Sequence, residues 1–491
     1  MTTGNRLRWR TGALAGLVLA GTLSAFGGGG LPKPFFARPP AIPAAPAAPE
    51  QPWVPPPETQ STALAPAPAP EQPPGGRWDL AALVDYALRH NPLTRESWAQ
   101  ARSAAAAVGV QEGEYYPYIE LDGSTSLSRG SVVTGGGGRH QFALGGAVML
   151  SYLLFDGGGR DALTEEARQT ALATNFNHNS VLQGVIFRVQ SAFYLFQESQ
   201  ALVRAEEAAR KEAQSALDAA DERHQAGVAT IADVLQARAR LSQAELALQT
   251  ILGQVEVARG TLATSAGLAA DFPLEVVEPS KEPPQPKAMA PVAQLMSEAL
   301  ARRPELAALE AQSRRAEARI EVARSAARPT LSATGAYGGV YNSIHNNFTN
   351  NYALGLTLTF PLFTGHATTY DRLRAQADAE AAREAQNILA QQIGLDVWTS
   401  YHNLQTADQR LRTTADLLDS ATQSYDVSLG RYKAGVGNII DLLAAQSTLE
   451  QARSERIQAW ADWFLAAARL AYATGALNTS PTPAPQGGDT K

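Results

Sequence analysis

Arg431-Tyr432-Lys433-Ala434-Gly435-Val436-Gly437-Asn438-Ile439-Ile440-Asp441-Leu442-Leu443 has an earlier twin, Arg223-His224-Gln225-Ala226-Gly227-Val228-Ala229-Thr230-Ile231-Ala232-Asp233-Val234-Leu235. In each copy a Gly stands where one helical run must end, because Gly takes a positive φ without a Cβ clash. An Asp follows six residues later, inside the next helix. Both stretches therefore read as tips of helical hairpins.

The twins belong to a larger repeat. Gly227 and Gly435 stand 208 positions apart, and so do Phe155 and Phe363, and Gly267 and Gly475. Pro92 and Pro304, and Pro117 and Pro329, stand 212 apart. A unit of about 200 residues is far longer than a solenoid repeat, so the chain is one body built from two duplicated halves. The four-residue difference falls between Pro117 and Phe155, where a longer loop is expected.

Each half opens on a shorter helical run. The first, from Trp78 to Gly113, is broken at Asn91-Pro92, since the residue before Pro is pushed out of the helical region. The period then changes to two. Ile119, Leu121, Thr125 and Leu127 alternate with Glu120, Asp122, Ser124, Ser126 and Ser128. After a Gly-rich loop over 129–140, Phe142, Leu144, Val148, Leu150, Tyr152 and Leu154 share one face. In the second half 331–341 alternates weakly, while Tyr352, Leu354, Leu356, Leu358, Phe360 and Leu362 face away from Asn351, Thr357 and Thr359. Strands are thus expected at about 118–128, 141–155, 331–341 and 351–363, long enough to cross a bilayer at a tilt. Each pair feeds a long helix, about 160–224 and 366–432, close to 100 Å at 1.5 Å per residue. Return helices follow at about 229–265 and 438–475.

Four strands cannot close a membrane barrel, and two bare edges in lipid would cost several kcal/mol for each unpaired backbone group. The body must oligomerise. Three copies give twelve strands and a wet lumen, which the polar strand faces favour over the filled interior of an eight-stranded barrel.

The ends have other duties. Arg6, Arg8 and Arg10 precede an apolar run, so 1–26 reads as a secretory signal. Residues 27–77 are crowded with Pro and Ala and form a linker without a core; 276–290 is a shorter Pro-rich link, and 478–491 a polar tail. The repeats proper then span 78–275 and 291–477. The net charge of −6 gives no footing for nucleic acid. With no Cys there is neither a disulfide nor a thiolate metal site. The seven His never fall in a metal-ligand spacing, and Gly135 to Gly138 lead to Arg139-His140 rather than a phosphate-binding Lys-Ser/Thr. Gly157-Gly158-Gly159, beside Asp156, reads as a strand-to-helix joint. No catalytic constellation and no cofactor site are expected.

The duplication, the two strand pairs each feeding a long helix, and the tips Ala226-Gly227-Val228…Asp233 and Ala434-Gly435-Val436…Asp441 resemble the TolC-type outer-membrane efflux proteins. The resemblance implies an α+β membrane protein: a homotrimeric, 12-stranded outer-membrane β-barrel continued by a long periplasmic α-helical barrel. It implies an exit duct that docks a periplasmic adaptor through its tips (Gly227, Val228, Gly435, Val436), served by an inner-membrane pump of the RND or ABC type. Small-molecule or drug efflux is the favoured cargo and type I protein secretion the alternative; a structural coiled-coil bridge across the envelope is a more distant one. Asp441 matches the outer member of an aspartate ring at the closed mouth, and the second Asp of that ring is here Ala444. Tyr432 matches a latch tyrosine whose usual arginine partner is here Gly437, and Asp233 matches the acceptor on the neighbouring helix.

Overall fold

The computed structural model describes residues 76–132, 136–277, 290–343 and 346–477. The expected signal, the linker up to residue 75, the link at 278–289 and the tail lie outside the described residues.

Helix α1 (Leu80–His90) is capped by Asp79, whose carboxylate accepts the Ala82 N–H at 2.7 Å. Trp78, expected inside this helix, instead precedes it and bridges to Val276 in parallel. Its indole is buried with Leu83, Val189 and Leu262, so burial of an aromatic outweighs continuation of the helix. Asn91 then separates α1 from α2 (Pro92–Gly113). Its side chain accepts the Leu93 N–H at 2.9 Å and donates to the Ser265 carbonyl at 2.9 Å, which ties the break to the far end of the hairpin.

Strands β1 (Tyr118–Val132) and β2 (Gly136–Phe155) form the first antiparallel pair, and β3 (Thr330–Asn342) and β4 (Asn347–Thr359) the second. Together they make one sheet in the order β1-β2-β3-β4. Two expectations are corrected here. Most of the stretch expected as a loop is strand: Arg129 pairs with His140 and Gly130 with Arg139, and pairing continues to Val132↔Gly136 past an irregularity. The extra residues of the first half therefore lengthen strands rather than a loop, because a partner ladder overrides the weak strand preference of Gly. In addition, β4 begins at Asn347 and ends at Thr359, four positions earlier at each end than the alternation implied. Pro361 lacks the N–H that a further ladder bond would need.

The helical parts of the two halves match in length. The long helices α3 (Gly159–Gln225) and α7 (Ala367–Lys433) have 67 residues each, and the return helices α4 (Ile231–Ser265) and α8 (Ile439–Ala473) have 35 each. The second half opens on α5 (Val292–Arg302) and α6 (Pro304–Ser325), 11 and 22 residues like α1 and α2 in the first. Long helix packs on return helix in both hairpins, and α3 also packs on α8, which joins the hairpins within one chain. Ala dominates the contact: Ala213, Ala216, Ala220, Ala237 and Ala452 are fully buried. Small side chains let the backbones approach while keeping helix propensity high.

At the strand-to-helix joint Gly157 and Gly158 have positive φ. The Asp156 carboxylate accepts from Gly158 N (3.2 Å) and Arg160 N (2.6 Å), and the Arg328 guanidinium donates to the Gly157 carbonyl. Among the described residues no helix is long and apolar enough to cross a membrane.

Candidate conduit: the hairpin tips and the sheet

At the first tip Gly227 has φ +74°; its N–H reaches the His224 carbonyl at 2.9 Å and the Val228 N–H the Arg223 carbonyl at 3.0 Å. At the second, Gly435 has φ +83°, with Gly435 N to Tyr432 O at 3.1 Å and Val436 N to Arg431 O at 3.0 Å. These paired bonds satisfy the last helix carbonyls in the manner of a Schellman cap. Val228 and Val436 project into solvent beyond them.

The next helices start differently. Thr230 and Asp233 form a reciprocal capping box: Asp233 N donates to the Thr230 hydroxyl (3.3 Å), and Thr230 N to the Asp233 carboxylate (3.1 Å). In the second tip the Asn438 side chain accepts from Asp441 N at 2.7 Å, which leaves the Asp441 carboxylate exposed.

The expected bond from Tyr432 to Asp233 is not made. Tyr432 is 2% exposed, and its hydroxyl is buried without a hydrogen-bond partner. Burial pushes its phenol above the ordinary range; Arg223 pulls it down and the Asp233 charge pushes it up. The residue that does engage it is Arg223, which the sequence reading quoted but did not single out. Its guanidinium lies over the Tyr432 ring, 4.7 Å from the centroid, and donates to the Tyr432 carbonyl. The signal was present: Arg occupies the same place in both tips, as Arg223 and Arg431. Gly437, which stands where the resembled family carries its latch arginine, is tight: a Cβ there would stand 3.1 Å from Tyr432 N. The two tips of one chain are thus pinned by Arg223 on Tyr432.

Above the tips, the register of the sheet sorts its faces. Ile119↔Leu150, Leu121↔Val148, Val148↔Tyr337, Tyr337↔Tyr352 and Leu150↔Gly335↔Leu354 run across one face. Glu120, Asp122, Ser124, Thr334 and Asn351 lie on the other. A one-residue slip would mix the two sets. The apolar face is open, with Leu121, Tyr352 and Leu354 all more than three-quarters exposed. An uncovered apolar surface of that extent calls for lipid, and the polar face for water.

A family model described as outer membrane efflux protein matches residues 83–268 and 295–476, one stretch in each half. The chain belongs to that family. Among curated relatives, protein CyaE of Bordetella pertussis is 31% identical over 482 residues, covering 97% of both chains. The pyoverdine export outer membrane protein OpmQ of Pseudomonas aeruginosa is 26% identical over 410 residues, 78% of this chain and 82% of OpmQ. Solved structures share the fold. The CmeC outer membrane channel of Campylobacter jejuni aligns with a TM-score of 0.72 at 17% identity, covering 81% of this chain and 85% of CmeC. The open state of the Neisseria gonorrhoeae MtrE channel aligns at 0.66 and 22%, covering 81% and 88%. This outer membrane efflux protein resides in the outer membrane of a Gram-negative cell.

Proposed function

We propose that this outer membrane efflux protein is the passive exit duct of a tripartite export system and not an enzyme, a homotrimer whose twelve strands close a barrel in the outer membrane and whose helices continue it through the periplasm. The observation that carries the reading is the pair of open edges on β1 and β4. Shifted by one repeat, the internal pair Val148↔Tyr337 becomes Leu356 of one copy against Thr125 of the next, an offset of 208 for the first residue and 212 for the second. That register keeps the apolar faces of β4 and β1 on the same side, as a closed barrel in lipid requires. A structural bridge would have no use for the polar face turned to the lumen.

The tips at Gly227-Val228 and Gly435-Val436 dock the periplasmic adaptor, and an inner-membrane pump supplies the energy. Three Asp441 carboxylates ring the mouth. Small molecules are the favoured cargo, as in the pyoverdine export protein among the relatives; a type I protein secretion system would use the same duct. A single Cys placed at exposed Lys433 in the Cys-free chain, cross-linked in intact cells, tests the reading. Capture of the adaptor of a proton-driven pump supports small-molecule efflux, and capture of the adaptor of an ATP-driven exporter supports protein secretion. If Lys433 and neighbouring tip positions capture no adaptor, the tripartite reading is wrong.

A further inference from the structure

A cavity of about 430 Å³ opens where α3, α7 and α8 meet, lined by Phe187 of α3, Ser400, Asn403 and Arg410 of α7, and Asp462 and Arg469 of α8. Its volume suits a small molecule. Several of its polar groups lack partners. Ser400 is 3% exposed, and its hydroxyl makes no hydrogen bond among the described residues. Neither does the Asn403 amide or the Arg469 guanidinium. Arg469 instead lies over the rings of Phe187 and Tyr472, 5.4 and 5.9 Å from their centroids. Arg410 is held by Asp462 at 2.7 Å, so those two charges cancel and Arg469 leaves one positive charge over. Glu198, the other acid near Asp462, does not line the cavity, and burial with the Asp462 charge pushes its carboxyl up to about 7.

The duplication supplies an internal control. At the positions 208 earlier, Ser400, Asn403, Arg410, Asp462 and Arg469 are matched by Ala192, Leu195, Leu202, Gln254 and Thr261. The first hairpin forms helices of the same lengths without any of these side chains, so folding does not require them. The cavity also lies away from the short helices. Leu83 and Ala87 of α1 pack with Val185 and Val189, and Ala299 of α5 with Ile393 and Val397. Phe187 stands two residues from both Val185 and Val189, nearly opposite them on α3, and Thr406, which also lines the cavity, stands about two and a half turns beyond Val397. In a helical barrel α1 and α5 belong outside, because two such helices from each copy would obstruct the lumen. The cavity then faces the duct.

We propose that this cavity is a station on the duct wall for a small organic carboxylate, and so that the duct serves acidic small molecules. The inference rests on the trimeric duct reading and names a cargo class for it. The planar fork of Arg469 fits a carboxylate, and one surplus positive charge matches a mono-anion. Asn403 and Ser400 add neutral donors, while Phe187 and Leu465 offer a wall for the apolar part of the solute. A duct must release what it takes, and a single open cation holds an anion loosely enough for that.

The test uses the full-length trimer in detergent with benzoate as the probe, followed by saturation-transfer NMR. Benzoate should bind, and its neutral isostere benzamide should not. Arg469→Thr and Ser400→Ala each copy the residue of the first hairpin, and melting curves check that the fold is kept. The first should weaken benzoate at least about tenfold and the second about two- to fivefold. Asn403→Cys, in the otherwise Cys-free chain, locates the cavity. In planar bilayers a negatively charged methanethiosulfonate should cut the current in three steps, one for each copy, and benzoate should slow the labelling. Equal binding of benzoate and benzamide, or undiminished binding by Arg469→Thr, overturns the carboxylate site. Labelling of the new thiol without a change in current overturns its place on the duct wall. Conduction without benzoate binding overturns the station alone, whereas binding by a trimer that conducts nothing overturns the duct reading.

Discussion

Tyr432 is buried for packing, and its hydroxyl is the part of it that nothing satisfies. A latch that worked through this hydroxyl would fail on its removal. The geometry gives the opposite expectation. Tyr432→Phe should keep or slightly raise thermal stability, because an unpaired buried hydroxyl costs about 1 kcal/mol or more, while Arg223 keeps a ring to lie on. Tyr432→Ala should lose about 3–5 kcal/mol through the cavity it leaves. Thermal unfolding of both variants in detergent checks this; a destabilised, constitutively open Phe variant would restore the latch. Glu198 offers a second case. Burial, with the nearby Asp462 charge adding to it, pushes its carboxyl up to about 7. A raised acid binds more protons folded than unfolded, so stability falls as pH rises from the ordinary carboxylate range through about 7. Because Glu198 is only partly buried, the loss is discounted to on the order of 1 kcal/mol. Glu198→Gln should flatten the decline in Tm between pH 5 and pH 8, and an unchanged slope would show that other groups carry it.

Among the elements, the sheet separates two solvents by register alone. Leu354 lies in the middle of β4 on the apolar face, and Asn351 on the opposite face. Leu354→Arg should cost about 2–4 kcal/mol, the price of a cation on the lipid side near the midplane, and Asn351→Arg close to nothing. Urea unfolding in lipid vesicles measures both, and equal costs would mean that the faces have been assigned the wrong way round. These faces were legible in the sequence because alternation has a period of two and survives any local detail. The helix lengths were legible because few Gly or Pro interrupt them. The strand ends were not. Gly-rich 129–140 looks like a loop in isolation, and its described residues pair only because β1 and β2 template each other, while β4 stops short of Leu362 because Pro361 lacks the N–H a further ladder bond needs. Arg223 was missed for a related reason: its partner lies in the other half of the chain, and neither spacing nor composition within one tip points across to Tyr432.

For the whole molecule, duplication gives two similar tips unequal tasks. Asp233 and Asp441 occupy the same position in their helices, yet Asp233 is held in the capping box by Thr230 while Asn438 relieves Asp441 of that duty. One carboxylate thus stabilises a helix start, and the other is left exposed at the tip. Three copies would place three Asp441 carboxylates around the duct, where they would attract cations into a narrow, low-dielectric opening. Asp441→Asn should therefore lower the cation preference of the channel a few-fold in planar bilayers and weaken block by multivalent cations, with little change in Tm because the Asn438 cap needs only the backbone N–H of residue 441. Asp233→Asn should do the reverse, with about 1 kcal/mol of stability lost and selectivity kept. Reversal-potential measurements across a salt gradient, set beside melting curves of the same preparations, distinguish the two roles. If both substitutions changed selectivity alike, the tips would be equivalent in the assembled mouth, and the asymmetry between capping and conduction would have no functional weight.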